Sequence, residues 1–230
     1  MTESSILQNG PEFKSRRYRS IGGSDAPVVV GLSDYVTPYH LLEYKRKKEK
    51  AEPIEETDDM RLGHEHEERI AQLFSLHTGN ILRTPCMFTH PLYVWYTSNP
   101  DRLRIHDNTV VEIKLKTKQD ELPEYPRIDH IVQLHHQMTS IGSAYNKKFG
   151  FIIYGLLKNL SACVVFWIKR NEKLSAEWDK KKEEFWSKVE LPEDATPEEL
   201  KLSYEAEGTK NWKLSRIQEE FQFKTIIRIS

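Results

Sequence analysis

The stretch that most constrains the fold runs from Val110 to Lys116 and has the sequence VVEIKLK. In a β-strand, successive side chains point to opposite faces of the sheet. The apolar residues at 111, 113 and 115 therefore share one face, which suits packing beneath a helix, while Glu112 and Lys114 share the other. A strand with one apolar and one charged face indicates a sheet with a helix on one side and a polar site on the other.

Helical and strand-like segments alternate along the rest of the chain. The sequence predicts a short helix within 21–35, capped by Ser24 or Asp25, and longer helices at 38–50, 60–77 (ended by Gly79), 127–145 and 175–189. It predicts strands within 80–90, 92–100, 109–117, 148–157 and 161–170. This order predicts an α/β fold, a mixed central β-sheet flanked by helices.

The length of 230 residues suits one domain. We expect a flexible leader at 1–15, a main domain at 16–190, and an extension at 191–230 that packs on the same domain. The N-terminal residues lack the order of a signal peptide and no run of about 20 apolar residues occurs, which predicts a soluble intracellular protein without a membrane span. Two cysteines exclude a disulfide framework and a four-cysteine metal site.

The net charge of −1 gives no global attraction to nucleic acid, so a DNA-binding surface must come from local segregation of charge. Residues 14–50 contain nine Lys or Arg against four Asp or Glu, whereas residues 51–68 contain eight acidic residues and one arginine. Charge blocks of this kind also occur on ordinary solvated surfaces. The pattern permits an enzyme that holds phosphates and cations together without requiring one.

Pro100-Asp101 and the triplet Glu112-Ile113-Lys114 are the strongest indication of chemistry. A turn at 106–109 can bring Asp101 back beside Glu112. Two adjacent carboxylates repel each other unless a cation neutralises them, and oxygen ligands suit Mg²⁺. We expect Mg²⁺, for which Mn²⁺ can substitute, with two ions per site and with Lys114 orienting the attacking water. The alternative is an ordinary strand with charges on its outer face.

Helical phasing places Glu67 on the buried side of the 60–77 helix, near Ile70 and Phe74, whereas Glu65 and Glu68 point to solvent. A carboxylate on a buried face needs a partner. A basic neighbour would serve, and so would a metal ion shared with Asp101 and Glu112.

Five motifs in order along the chain resemble the lambda-exonuclease-like (YqaJ-type) viral recombinases of the PD-(D/E)XK nuclease superfamily. They are IGGSDA from Ile21, MRLGHEHE from Met60, NPD from Asn99, VEIK from Val111 and QLHHQM from Gln133. The likeness runs from about Arg17 to Val189. It implies a restriction-endonuclease-like core and a Mg²⁺-dependent 5′→3′ exonuclease that acts on double-stranded DNA ends. Such an enzyme releases 5′-mononucleotides and leaves 3′ single-stranded tails for recombination.

The resemblance also implies roles for individual residues. The metal ligands would be Glu67, Asp101, Glu112 and the Ile113 carbonyl. The same three carboxylates and Lys114 would carry out catalysis. Arg17 and Ser24 would hold the 5′-phosphate. The family's active-site glutamine aligns with His135, and phasing puts His135 inward and Gln133 nearly opposite. His135 is therefore expected to take that role, supported by Gln133 and Gln137, although an inward histidine is also common in cores.

The sequence departs from the family pattern at Arg102 as well as at His135, because the family usually has glycine after the motif aspartate. The resemblance further suggests a ring-shaped trimer and a single-strand annealing protein as a partner. Two alternatives stay open: an endonuclease of the same superfamily, which would need no 5′-phosphate pocket, and a catalytically silent DNA-binding relative.

Overall fold

The computed structural model describes residues 16–47, 57–141, 145 and 148–229. The predicted leader at 1–15 lies outside these ranges, as do residues 48–50 of the second predicted helix. Six helices lie wholly within the described part: α1 Ala26–Val29, α2 Pro38–Lys47, α3 Asp58–Thr78, α4 Ile128–Ser140, α5 Glu172–Val189 and α6 Leu214–Glu220. No helix in these ranges is both long and apolar enough to cross a membrane.

The two longest helices have defined ends. The Thr57 side chain accepts a hydrogen bond from the Met60 N–H at the start of α3, and Gly79 ends that helix with a left-handed φ of 69°. The Asn171 side chain accepts from the Leu174 N–H at the start of α5. These caps satisfy backbone groups that have no partner within the helix, which fixes where each helix begins and ends.

A six-stranded sheet forms the centre, in the order β1-β4-β5-β6-β7-β8, and β2 pairs with β3 beside it. Strands β5 and β6 are parallel, and the other neighbouring pairs of the sheet are antiparallel. The strands are β1 Leu82–Arg83, β2 Phe88–Thr89, β3 Thr97–Ser98, β4 Arg102–Arg104, β5 Val110–Lys116, β6 Phe149–Leu156, β7 Cys163–Lys169 and β8 Phe223–Ile229. The predicted mixed α/β arrangement is confirmed.

Helices α3 and α4 pack on opposite faces of this sheet. Ile70 of α3 belongs to a buried cluster with Val111 and Ile113, while α4 packs on the other face in a second cluster. Two glycines of β6 permit the close approach: a Cβ at position 150 would lie 2.7 Å from Leu134 of α4, and one at position 155 would lie 2.7 Å from Ile70. The alternation in β5 therefore directs Glu112 toward the α4 side.

Several boundaries differ from the sequence predictions. The stretches 80–90 and 92–100 contain only the two-residue strands β1, β2 and β3, because few of their backbone groups pair in a sheet. Helix α4 ends at Ser140, earlier than the predicted 145. The extension at 191–230, which sequence patterns did not resolve, contributes α6 and the edge strand β8, which pairs with β7.

Candidate active site

The β4–β5 hairpin brings Asp101 to the middle of the neighbouring strand. The two strands are antiparallel, with Arg102 opposite Val111. Asn108 makes the turn with a φ of 55°, a conformation that asparagine tolerates better than most residues. The Ile113 N–H donates a hydrogen bond to Asp101 Oδ2 at 2.7 Å. The turn therefore returns Asp101 to the strand that carries Glu112, as predicted.

Glu112 is 1% exposed and is held by three side chains. Gln133 Nε2 donates to its Oε1 and Gln137 Nε2 to its Oε2, both at 2.6 Å. Lys114 Nζ lies 2.6 Å from the same Oε1 and also donates to Gln133 Oε1 at 3.0 Å. The two amides and the ammonium orient both carboxylate oxygens of Glu112, so the side chain is fixed before any ligand binds.

The charges around Asp101 are unbalanced. Loss of water, together with the nearby Glu112 and Glu67 carboxylates, raises the pKa of Asp101 well above its usual value, against the opposing effect of Lys114. Burial opposes the charge on Lys114, but Glu112 and Asp101 outweigh it and raise the Lys114 pKa. The cluster therefore favours a further positive charge beside Asp101, and Lys114 stays protonated.

Glu67 lies on the side of α3 that sequence phasing predicted, with a side chain 19% exposed. Its partner is Arg102, whose Nη1 donates to Glu67 Oε1 and whose Nη2 donates to Glu68 Oε2 at 2.9 Å. Burial raises the pKa of Glu67, and the Arg102 guanidinium acts against that shift. The sequence left open whether Glu67 pairs with a basic residue or with a metal ion, and in the structure a basic residue, Arg102, pairs with it.

A cleft of about 370 Å³ opens over these carboxylates. One wall comes from the N-terminal segment, which contributes Arg17 and Ser24, and the other carries Glu67, Asp101 and Lys114. The structure therefore brings the two predicted phosphate-binding residues into one cavity with the predicted catalytic carboxylates and Lys114. Glu112, Ile113 and Gln133 also line it.

A buried ion pair holds the N-terminal wall. Lys45 of α2 is 1% exposed, and its Nζ donates to Asp25 Oδ2 at 2.8 Å and to the Arg17 carbonyl. Asp25 Oδ2 also accepts from the Gly22 N–H at 3.0 Å. One ammonium thus connects the residues on both sides of the Gly-Gly turn. Sequence reasoning missed Lys45, although its spacing from the buried Leu41 places it on the inward face of α2.

The expectation that His135 faces the site was wrong. His135 is buried in the core, where its Nδ1 bonds the Ile131 carbonyl at 2.9 Å and its Nε2 accepts from the Asn171 N–H at 3.0 Å. Burial lowers its pKa to about 3. Helix α4 is buried on several sides, so its most apolar face points to the core, and the face with Gln133 and Gln137 meets Glu112.

The residues of the cleft fit a divalent cation with oxygen ligands. Asp101 and Glu112 supply carboxylates beside the Ile113 backbone, and the Asn99 Oδ1 in the same cleft is buried without a hydrogen-bond partner among the described residues. The described residues contain no group of three or more His, Cys, Asp or Glu already arranged to hold a metal ion. Mg²⁺ is often bound through one or two carboxylates together with water and substrate phosphate, which this donor set can satisfy.

Comparison with known proteins gives matches of three kinds: a protein family, a relative in sequence and solved structures. The YqaJ-like viral recombinase domain matches residues 12–143, which include the whole candidate site. The uncharacterized protein YqaJ of Bacillus subtilis (strain 168) is 29% identical over 154 residues, covering 63% of this chain and 46% of that protein. The chain therefore spans less than half the length of that relative.

Two solved structures share the fold. The alkaline exonuclease LHK-Exo from Laribacter hongkongensis has a TM-score of 0.65 and 17% identity, covering 79% of this chain and 93% of that chain. LHK-Exo in complex with dAMP gives a TM-score of 0.65 and 18% identity over the same shares. At this identity the likeness concerns the fold alone, and it agrees with the predicted mixed central β-sheet flanked by helices.

Proposed function

Because this chain belongs to the YqaJ-like viral recombinase domain family, we propose that it is a Mg²⁺-dependent 5′→3′ exonuclease acting on double-stranded DNA ends. It would release 5′-mononucleotides and leave 3′ tails for recombination. The observation that carries the proposal is one cleft lined by Asp101, Glu112 and Lys114 and also by Arg17 and Ser24. The trimer and the annealing protein suggested by the resemblance stay predictions.

Asp101, Glu112 and the Ile113 carbonyl would hold the cation. When bound, it would stabilise the negative charge that develops on the scissile phosphate. Gln133 and Gln137 keep Glu112 oriented, so the ligand geometry costs little reorganisation during the reaction.

Lys114 acts in this proposal as a cation and not as a general base. Its pKa is raised by Glu112 and Asp101, so at neutral pH it carries a proton and can donate hydrogen bonds. It lies 2.6 Å from Glu112 Oε1 and lines the cleft. From there it can orient the attacking water and stabilise charge on the phosphate oxygens in the transition state.

Arg17 and Ser24 would bind the terminal 5′-phosphate. A terminal phosphate carries more charge than an internal diester, and an arginine fork with a hydroxyl donor can distinguish the two. The ion pair between Lys45 and Asp25 holds the backbone on both sides of this pocket. LHK-Exo, which shares the fold, has been solved in complex with dAMP, a mononucleotide of the kind that the proposed reaction would release.

The test compares matched linear duplexes that differ only in a 5′-phosphate or 5′-hydroxyl end, with supercoiled plasmid alongside. We expect faster degradation of the phosphorylated end, mononucleotide products and an intact plasmid. Arg17→Ala should remove most of the preference for the phosphate. Arg216→Ala is the matched control, because Arg216 pairs with Glu207 and does not line the cleft.

Two outcomes would redirect the proposal. Equal rates on both ends, or efficient nicking of the plasmid, would favour the endonuclease alternative. No metal-dependent cleavage of any DNA, with duplex binding retained, would favour the catalytically silent relative. Asp101→Asn should abolish cleavage in Mg²⁺ and in Mn²⁺, and wild-type activity in that variant would place the chemistry elsewhere.

A further inference from the structure

Arg102 stands where the family usually has glycine, and it is built into the acidic cluster. Its side chain is 9% exposed. Besides the bonds to Glu67 and Glu68, its Nη1 donates to the Asp101 carbonyl at 2.7 Å. The guanidinium therefore joins the loop that carries Asp101 to helix α3. The residue is a fixed part of the site and not a surface substitution.

The carboxylates of the cleft differ in how their charge is compensated. Glu112 has Lys114 and two amides, and Glu67 has Arg102. Asp101 accepts a backbone N–H on Oδ2, and within the described ranges no Lys, Arg or His lies at ion-pair distance from it. Asp101 is thus where an additional cation is most needed, and Glu67 already has one.

We propose that Arg102 takes the place of a second divalent cation, so that the site binds one ion through Asp101 and Glu112 while Arg102 neutralises Glu67. This inference rests on the proposed function and refines the expectation of two ions per site. An arginine carries a permanent charge in a planar fork, so it cannot release Glu67 by losing a proton. A second ion at Glu67 would have to displace charge-assisted hydrogen bonds and would meet the repulsion of the guanidinium.

The test counts bound Mn²⁺ per chain, by electron paramagnetic resonance and by calorimetric titration of the full-length protein. We expect one Mn²⁺ in the wild type and two in Arg102→Gln, where Glu67 is released. Arg102→Lys keeps the charge and should stay at one. Arg104→Gln is the matched control, because Arg104 lies on the same strand but pairs with Asp107, away from the cleft, and it should also bind one.

Glu67→Gln keeps the test decisive if Arg102 variants fold poorly. In the wild-type background it should leave one Mn²⁺ bound, since Glu67 would hold no ion, with an affinity weakened by the Arg102 guanidinium left without Glu67. In the Arg102→Gln background it should remove the second ion. Loss of Mn²⁺ from Glu67→Gln alone would overturn the inference, because Glu67 would then be a ligand in the wild type.

The inference and the proposed function fail in different ways. Two Mn²⁺ in the wild type, or a single Mn²⁺ in folded Arg102→Gln, overturns the inference and leaves the nuclease proposal standing. No Mn²⁺ in the wild type, or one that Asp101→Asn does not remove, overturns the proposed metal site and this inference with it. One Mn²⁺ that depends on Asp101, without cleavage of any DNA, overturns the nuclease proposal alone.

Discussion

Replacing Lys45 with methionine tests whether one buried ion pair holds the wall of the cleft that would bind the 5′-phosphate. The Lys45 side chain is 1% exposed and that of Asp25 is 12% exposed, and Nζ lies 2.8 Å from Oδ2. Methionine keeps most of the apolar stem but removes the ammonium. Asp25 would keep its bond from the Gly22 N–H, and the Arg17 carbonyl would lose the Lys45 donor.

The expected cost follows from leaving a buried charge without its partner, which is about 3–5 kcal/mol in free energy of unfolding. For a chain of this size that corresponds to a melting temperature lower by roughly 6–20 °C. The double variant Asp25→Asn, Lys45→Met replaces the stranded carboxylate with a neutral amide. It should therefore be at least about 1 kcal/mol more stable than Lys45→Met alone.

Urea unfolding followed by tryptophan fluorescence measures these differences, with Lys47→Met as the control. Lys47 is exposed on the same helix, and its replacement should change stability by no more than about 0.5 kcal/mol. The same preparations are then assayed on 5′-phosphate and 5′-hydroxyl duplexes below their unfolding temperatures. Lys45→Met should lose part of the preference for the phosphorylated end, because Lys45 no longer holds the Arg17 carbonyl.

A loss of less than about 1 kcal/mol in Lys45→Met would refute the reasoning, since a stranded buried carboxylate costs more. A large loss with no recovery in the double variant would assign the effect to packing instead of charge. An unchanged 5′-end preference in a destabilised variant would show that the ion pair stabilises the fold without supporting recognition of the 5′-phosphate.

Three further predictions concern single residues. The pKa of Asp101 is raised above its ordinary 3.8, so the folded metal-free protein binds more protons than the unfolded chain. Its free energy of unfolding should therefore fall as pH rises from about 4 through the raised pKa. Urea unfolding at about pH 5 and about pH 8 measures this loss of stability, which should be smaller in Asp101→Asn. Lys114→Ala should lower the single-turnover cleavage rate at least about 100-fold while DNA affinity changes little, and lost affinity with an unchanged rate would contradict its role. His135→Ala should lower the free energy of unfolding by about 2–4 kcal/mol through a cavity and two lost hydrogen bonds, with the cleavage rate of the folded enzyme retained at low temperature.

Local periodicity determined much of the molecule from the sequence alone. The alternation at 110–116 set which side chains of β5 face α3 and which face the cleft, because a strand has a fixed period of two. Phasing of the 60–77 helix placed Glu67 on the partly buried side for the same kind of reason, at a period of 3.6. Gly79 marked the end of α3 through a conformation that glycine adopts readily.

Only the tertiary structure decided which buried face of α4 meets the site. Periodicity shows that a helix has an inward side, but α4 is buried in several directions, so His135 entered the core while Gln133 and Gln137 reached Glu112. The partners of Arg102 and Lys45 lie about 20 to 35 residues away in the chain, beyond any local pattern. Strand β8 likewise depends on pairing with β7, because an edge strand is stabilised by its neighbour more than by its own sequence.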